Sequence, residues 1–257
     1  MTGRDGGVGT LTARDIDGLV FTAEMYGLQV DQLGVLLGVP PERARVIAGR
    51  WRQLGLADMA RLGPGPSWIW ITRQGLAACG LHYTAIPPGL SRLAHIRAVA
   101  AARLALEATA GYQQARAYWR SERRLRAGYR VGVREHLPDG EVHWPDEAGT
   151  AWAGECWAIE AELTRKTVTR TAAIMRELLA RTGDYGCPAA EAAVPGRVPR
   201  HARALYLCSP AALPTVARAR EELGPLATRV EIRDLPPGAP FPVTGKSAGD
   251  TGCKDGG

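Results

Sequence analysis

Apolar residues recur at helical spacing through much of the first 80 positions. Residues 11–26 (LTARDIDGLVFTAEMY) open on Thr12, whose hydroxyl suits a helix N-cap, and continue as a periodic apolar run. VDQLGVLLG predicts a second, short helix with Leu33, Leu36 and Leu37 on one face and Gly38 as its C-cap. PPERARVIAGRWRQLG predicts a third, with proline in its first turn and Gly55 at its end. Its apolar stripe is Ala44, Ile47, Trp51 and Leu54, and the same helix carries Arg43, Arg45, Arg50 and Arg52. LADMARL and SWIWIT then read as strands about a GPGP turn, and Thr72 caps one more short helix, TRQGLAACG. Two short helices, a tight turn, an arginine-bearing helix and a hairpin make a winged helix-turn-helix pattern, in which those four arginines are the expected DNA contacts. The plainer alternative is a helix-turn-helix used only for protein contacts or dimerisation.

The second half has a different rhythm. TAIPPGL, at 84–90, marks a boundary, and the alanine-rich stretch from Ser91 to Ala110 predicts a long connecting helix. It carries His95, which the pattern assigns to packing or to the surface. WRSERRLR follows as the end of a helix or strand. DGEVHW and ECWAIEAEL are strands joined by the loop PDEAGTAWAG. TVTRTAAIMRELLART predicts an amphipathic helix with Ala173, Ile174, Leu178 and Leu179 inward. ARALYLCS is apolar throughout, like a strand covered on both faces, and PAALPTVARAREELG and TRVEIRDL complete a helix and a last strand. Strands alternating with helices imply a mixed sheet flanked by helices. The expected fold class is therefore α+β in two domains: 11–83, a winged helix-turn-helix; 84–110, a helical connector; and 111–236, the mixed sheet. The segment 237–257, rich in Pro, Gly and small polar residues, reads as a disordered tail, and 1–10 as loose.

Composition narrows the function classes. No apolar run reaches the roughly 20 residues needed to span a bilayer, and MTGRDGGVGT has no signal-peptide core, so the expectation is a cytoplasmic protein without a membrane partner. The five cysteines are scattered without a C-x-x-C pair, which argues against a disulfide framework and against structural zinc. The net charge of +6 is unevenly placed: residues 86–135 hold ten Arg against three Asp or Glu, a distribution suited to a polyanion. Lys166 is the only lysine outside the C-terminal tail. No Gly-rich phosphate loop or H-E-x-x-H motif is present, which removes nucleotide hydrolases and zincins, and the one G-x-S-x-G string (Gly245–Gly249) falls in the Pro- and Gly-rich tail rather than between a predicted strand and helix.

The chemistry concentrates in ECWAIEAEL. Glu160 and Glu162, two apart on a strand, point the same way with Cα atoms roughly 7 Å apart. Such a pair suits a hard divalent cation, Mg2+ or Mn2+. Asp139 and Asp146 are the candidates for a third carboxylate. A hairpin centred near 149 or 150 sets residue 139 opposite residue 160 and leaves Asp146 at the looped end, so Asp139 is the expected partner and Asp146 a turn residue. The plainer alternative is a surface cluster paired with Arg165, Lys166 and Arg170.

Pro138-Asp139 followed by Glu160-Ala161-Glu162 resembles the PD-(D/E)xK nuclease signature, with glutamate in the lysine position. The wider run HLPDG…WAIEAELTRK, preceded by WRSERRLR and a winged helix, resembles the replication-relaxation family of plasmids and integrative elements over roughly residues 11–235. The resemblance implies a restriction-endonuclease-like second domain and a DNA-processing role in plasmid replication, relaxation or mobilisation. It carries over Asp139 and Glu160 as metal-binding acids, with Glu162 as a further ligand or a water-orienting group. It also offers Lys166 as the missing cation, Glu122 as the acid of the first helix, and His136 as a contact to phosphate or water. The implied partner is DNA, with replication or transfer proteins and a second copy of the chain as further candidates. A non-catalytic regulator with a degenerate nuclease domain is the competing expectation. A tyrosine relaxase is the weaker third: Tyr112, Tyr118, Tyr129 and Tyr185 are available, but none comes with a paired-histidine metal site.

Overall fold

A computed structural model of the chain describes residues 11–127, 136–147, 149–182 and 200–238. The expected loose segment 1–10, the tail from 239 onward, Tyr129 and Tyr185 lie outside the described residues. The architecture is mixed α/β, with helices and two sheets. Among the described residues no helix is long and apolar enough to cross a membrane.

The N-terminal elements run α1 (Ala13–Glu24), β1 (Leu28–Gln29), α2 (Val30–Leu37), α3 (Pro41–Gln53), β2 (Ala57–Ala60), β3 (Trp68–Ile71) and α4 (Arg73–Ala78). The predicted punctuation accounts for their ends. Thr12 caps α1 reciprocally with Asp15, Gly38 ends α2 in the left-handed region, and Thr72 accepts from the Gly75 N–H at the start of α4. The two-residue β1 lacks any pattern long enough to announce a strand, yet it completes a three-stranded antiparallel sheet in the order β1-β3-β2. On α3 the buried stripe is Ala44, Ala48 and Trp51, with Ile47 and Leu54 half-buried beside it. The Trp51 indole N–H donates to Asp15 Oδ1 at 2.8 Å, so the residue that caps α1 also fixes α3. Gly18 faces that ring closely: a Cβ there would sit 2.7 Å from it.

After a 3-10 turn (Leu90–Arg92) come α5 (Leu93–Glu107), α6 (Ala110–Gln114), β4 (Tyr118–Ser121), α7 (Glu122–Ala127), β5 (Gly140–His143) and β6 (Cys156–Glu162). They are followed by α8 (Val168–Ala180), β7 (Arg203–Cys208), α9 (Leu213–Glu221) and β8 (Val230–Asp234). These strands form one sheet in the order β4-β5-β6-β7-β8, antiparallel from β4 to β6 and parallel from β6 to β8. WRSERRLR thus divides into a strand and a short helix. On α8 the expected inward set needs correcting: Ala173 is exposed and Ile174 half-buried, and Thr171, Ala172 and Met175 join Leu178 and Leu179 in the buried stripe. The stripe starts one position earlier than the apolar residues alone suggest, because Thr171 can be buried once its hydroxyl donates to the Thr167 carbonyl at 3.0 Å.

Two cores follow from this layering. One is continuous across both sheets: it runs from Leu19, Trp51 and Ile69 through Ala98, Val99 and Ala102 of α5 to Trp119, Val142, Trp157, Ile159 and Leu205. The other lies on the opposite face of the five-stranded sheet, where α8 and α9 cover Ala158, Ala204 and Tyr206. Polar anchors reinforce the first. Arg123 donates to the carbonyls of Ala23 and Thr84 between the rings of Tyr26 and Tyr83, and Arg97 pairs with Asp31 at 2.7 Å.

Candidate functional site

The site forms where β5 begins and β6 ends. Gly140 pairs with Ile159 and Glu141 with Ala158, so one step further position 139 faces position 160, the register expected from the hairpin. Glu160 and Glu162 project from the same face of β6, against Tyr206 and Cys208 of the parallel neighbour β7. Both are nearly enclosed, at 3% and 4% exposure, which no carboxylate tolerates without partners. A groove of about 500 Å3 opens beside them, and its walls include Glu122, His136, Asp139, Glu160, Glu162 and Lys166. All six residues singled out in the second half of the sequence therefore border one space. Asp146 does not: it lies in the β5–β6 loop, beside a different cavity lined by His143, Glu155 and Cys156.

Each acid of the groove meets a nitrogen base. Asp139 Oδ1 is 2.8 Å from His95 Nε2, and its Oδ2 accepts from the Ala161 N–H at 2.8 Å. Glu160 Oε1 is 2.7 Å from His136 Nε2. Glu162 forms an ion pair with Lys166, four residues on, as the chain leaves β6. Glu122, at the start of α7, pairs with Arg92 and Arg126. Burial raises the Glu160 carboxyl, and the charge and hydrogen bond of His136 only partly offset it. Burial by itself would lower both imidazoles; Asp139 beside His95 and Glu160 beside His136 outweigh it and hold them raised.

His95 was read from the sequence as a packing or surface residue. It comes instead from α5, in the connector that follows the boundary at 84–90, and meets the acid that precedes β5. Periodicity carries no signal for such a contact, because 44 residues separate the partners. Of the four arginines on α3, Arg43, Arg45 and Arg52 are exposed, while Arg50 is half-buried and lies 3.6 Å from Asp15. Tyr112 is buried and Tyr118 stacks on His143, so neither lines the groove.

The donor chemistry of the groove fits a divalent cation, since three carboxylates with nearby imidazoles face an open space. The three acids are nevertheless apart. Among the described residues, the group of three potential ligands whose atoms lie within 4.8 Å of one another is Glu141, Cys156 and His201. The cysteine spacing gave no hint of it, because its members come from β5, β6 and the chain just before β7.

That second cluster already has its cations. Glu141 is wholly buried and accepts from Arg200 through both oxygens, at 2.6 and 3.0 Å, with His201 at 2.9 Å and His143 at 2.9 Å. Against the cost of burial, these partners hold its carboxyl far below the usual glutamate range. Four contacts satisfy the lone pairs a carboxylate offers. The arrangement ties β5 to the start of β7 and, through the His201 contact to the Leu178 carbonyl, to α8. No family model, curated protein or solved structure matches this chain.

Proposed function

We propose that the protein is a DNA-processing enzyme in which a winged helix-turn-helix, formed by α1 to β3, locates DNA, and a PD-(D/E)xK-like unit, formed by β4 to β8, cuts or nicks it with a divalent metal ion. The replication, relaxation or mobilisation of a plasmid or integrative element is the setting that the motif resemblance suggests. The observation that carries this reading is the convergence of Asp139, Glu160, Glu162, Lys166, His136 and Glu122 on one groove. The exposed arginines of α3 support the DNA-locating half.

Asp139, Glu160 and Glu162 would hold the cation, which supplies neutralisation of a phosphate and acidification of a water molecule. The chain's own residues do the rest. The Ala161 N–H fixes Asp139 through Oδ2, so its orientation does not depend on the ion. Glu160, enclosed at the end of β6, is held in place by His136 at 2.7 Å. Lys166 Nζ, on the groove wall, can leave Glu162 for a phosphate oxygen and stabilise the charge that develops there.

The competing reading, a DNA-binding regulator without cleavage, draws on one specific observation: every acid of the groove is already matched by a base, and the acids are not gathered as a ligand set. Supercoiled-plasmid nicking with Mg2+ or Mn2+ separates the two, run beside Asp139→Ala, Glu160→Ala and an EDTA control. Nicking lost in all three supports the nuclease. Footprinted binding without nicking would select the regulator.

A further inference from the structure

We infer that α3 reads a thymine methyl group in the major groove of duplex DNA through Val46 and Gly49, between two flanks of arginine that meet the phosphate backbones on either side. The inference rests on the DNA-locating half of the reading above and adds which residues face the bases and the chemical group they meet.

Helical spacing divides α3 into four lines. Ala44, Ala48 and Trp51 are buried and hold the helix to the fold. On the opposite side, at steps of three and four, lie Glu42, Val46, Gly49 and Gln53. Arg45 and Arg52, seven apart, share one flank of that strip; Arg43 and Arg50 share the other, each flank roughly a quarter-turn from its centre. Glu42 is the only acid of the helix and stands in its first turn, where a carboxylate complements the N-terminal dipole. The rest of the strip is uncharged.

Two residues of the strip are not explained by the fold. Val46 is 60% exposed although it is apolar and β-branched, a poor choice for a solvated helix position. Gly49 sits inside the helix, where only proline is a worse helix former. A Cβ built on Gly49 would meet nothing within 4 Å, so no packing inside the chain requires the missing side chain. A surface of another molecule that comes close at Gly49 and dries Val46 accounts for both.

The flanks identify that surface. Arginines on both sides of an uncharged centre match a groove with phosphates along both rims and base edges along its floor. The major groove of B-DNA, about 12 Å wide, admits one α-helix with its side chains. Gly49 lets the helix backbone settle toward the floor, and Val46 beside it faces the base edges. The apolar group on that floor is the C5-methyl of thymine. A second copy of α3 packed on the strip would instead bring like charges together along both flanks.

The experiment selects binding sites from a random duplex library with the full chain and then measures the enriched duplex by fluorescence anisotropy. Each thymine of the site is replaced in turn by deoxyuridine, which removes the C5-methyl and nothing else. One replacement should weaken wild-type binding by about three- to fivefold, the factor for one buried methyl group. In Val46→Ala the same replacement should change affinity by less than about 1.5-fold. Arg45→Ala and Arg52→Ala should weaken binding to every duplex and keep the wild-type deoxyuridine ratio. Gly49→Ala should raise the melting temperature of the free chain, whereas Gly49→Leu, its fold checked by circular dichroism, should weaken duplex binding by more than about tenfold. A site with no methyl-sensitive thymine, a deoxyuridine ratio that survives Val46→Ala, or wild-type binding by Gly49→Leu would overturn the inference and leave the DNA-locating reading intact. A wild-type chain that self-associates in sedimentation and becomes monomeric in Val46→Ser would assign the strip to an interface between copies and overturn it as well. No duplex enriched or bound by the wild type would defeat the DNA-locating reading itself, and the inference with it.

Discussion

Gly140 separates the acid of the groove from the buried Glu141 network, and it is glycine for a steric reason. Its Cα faces the Trp119 ring diagonally across β4 and β5, and a Cβ built there would lie 2.1 Å from Cζ2, 2.4 Å from Cε2 and 2.8 Å from Cη2 of that ring. Ordinary carbon contacts begin near ~3.5 Å, so in Gly140→Ala the indole must retreat by more than about 1 Å. It has little room to do so: Trp119 is 4% exposed and sits in the core shared by the two sheets. Overpacking of this severity belongs at the upper end of the usual range, about 3 kcal/mol. For a chain of this size that corresponds to a fall in Tm of about 6–12 °C. Thermal and urea unfolding followed by circular dichroism would measure it, and a double-mutant cycle supplies the internal control. In a Trp119→Leu background, where the ring is gone, Gly140→Ala should cost less than ~1 kcal/mol, leaving a coupling of about 2 kcal/mol. A Gly140→Ala protein as stable as the wild type, or an equal loss in both backgrounds, would show that the ring contact is not what fixes this position.

Three further outcomes follow from other contacts. Glu141 is depressed in the folded chain relative to the ordinary glutamate value of 4.5, so the stability it contributes is fully present above that value and is lost as pH falls below it toward its folded pKa. Glu141→Gln should therefore cost about 3–5 kcal/mol near pH 7, by leaving Arg200 and the histidines without their anion, and urea midpoints of the two proteins should converge as pH falls below about 4. Trp51→Phe removes the donor to Asp15 while keeping an aromatic ring, and should lower stability by about 2 kcal/mol in the same unfolding assay. On DNA, Arg43→Ala, Arg45→Ala and Arg52→Ala should each weaken binding and reduce the slope of log affinity against log salt by about 1 if their contacts are to phosphate. Arg50→Ala, whose side chain turns toward Asp15, should change the slope less than the exposed three, as salt-dependent fluorescence anisotropy would read.

How much of this was legible depended on whether the signal was local. The caps at Thr12, Gly38 and Thr72, the proline opening α3, and the alternation of SWIWIT are decided within a few residues, and the elements appear where those signals stand. The β5–β6 register, which carried one step further sets 139 opposite 160, was also legible, because a hairpin converts the position of its turn into a register by arithmetic. The two-residue β1 was not, since its extended conformation is decided by β3 alongside it. Nor was the inward face of α8 read fully, since Thr171 counts as polar until its hydroxyl finds the Thr167 carbonyl.

The harder case is His95, and it explains why the chemistry was only half visible. Acids two apart on one strand announce themselves, because the backbone alone aligns them. The bases that meet those two acids and Asp139 come from separate places: His136 from the segment before β5, Lys166 from the turn after β6, and, for Asp139, His95 from α5. Only Lys166 lies within one turn of its partner, and only its partnership could be argued from spacing. Once the sheet and α5 are assembled around the shared core, burial of Glu160 makes a nearby base obligatory, and His136 satisfies it. Asp139 is less enclosed and already holds the Ala161 N–H, so burial alone does not require His95 there. A contact that stability does not demand, on the wall of a groove lined by four acids, is better placed to serve the groove than the fold. That asymmetry separates the two histidine substitutions: His136→Gln is expected to lower the urea midpoint, because it takes the base from the enclosed Glu160, and His95→Gln to leave the midpoint nearly unchanged.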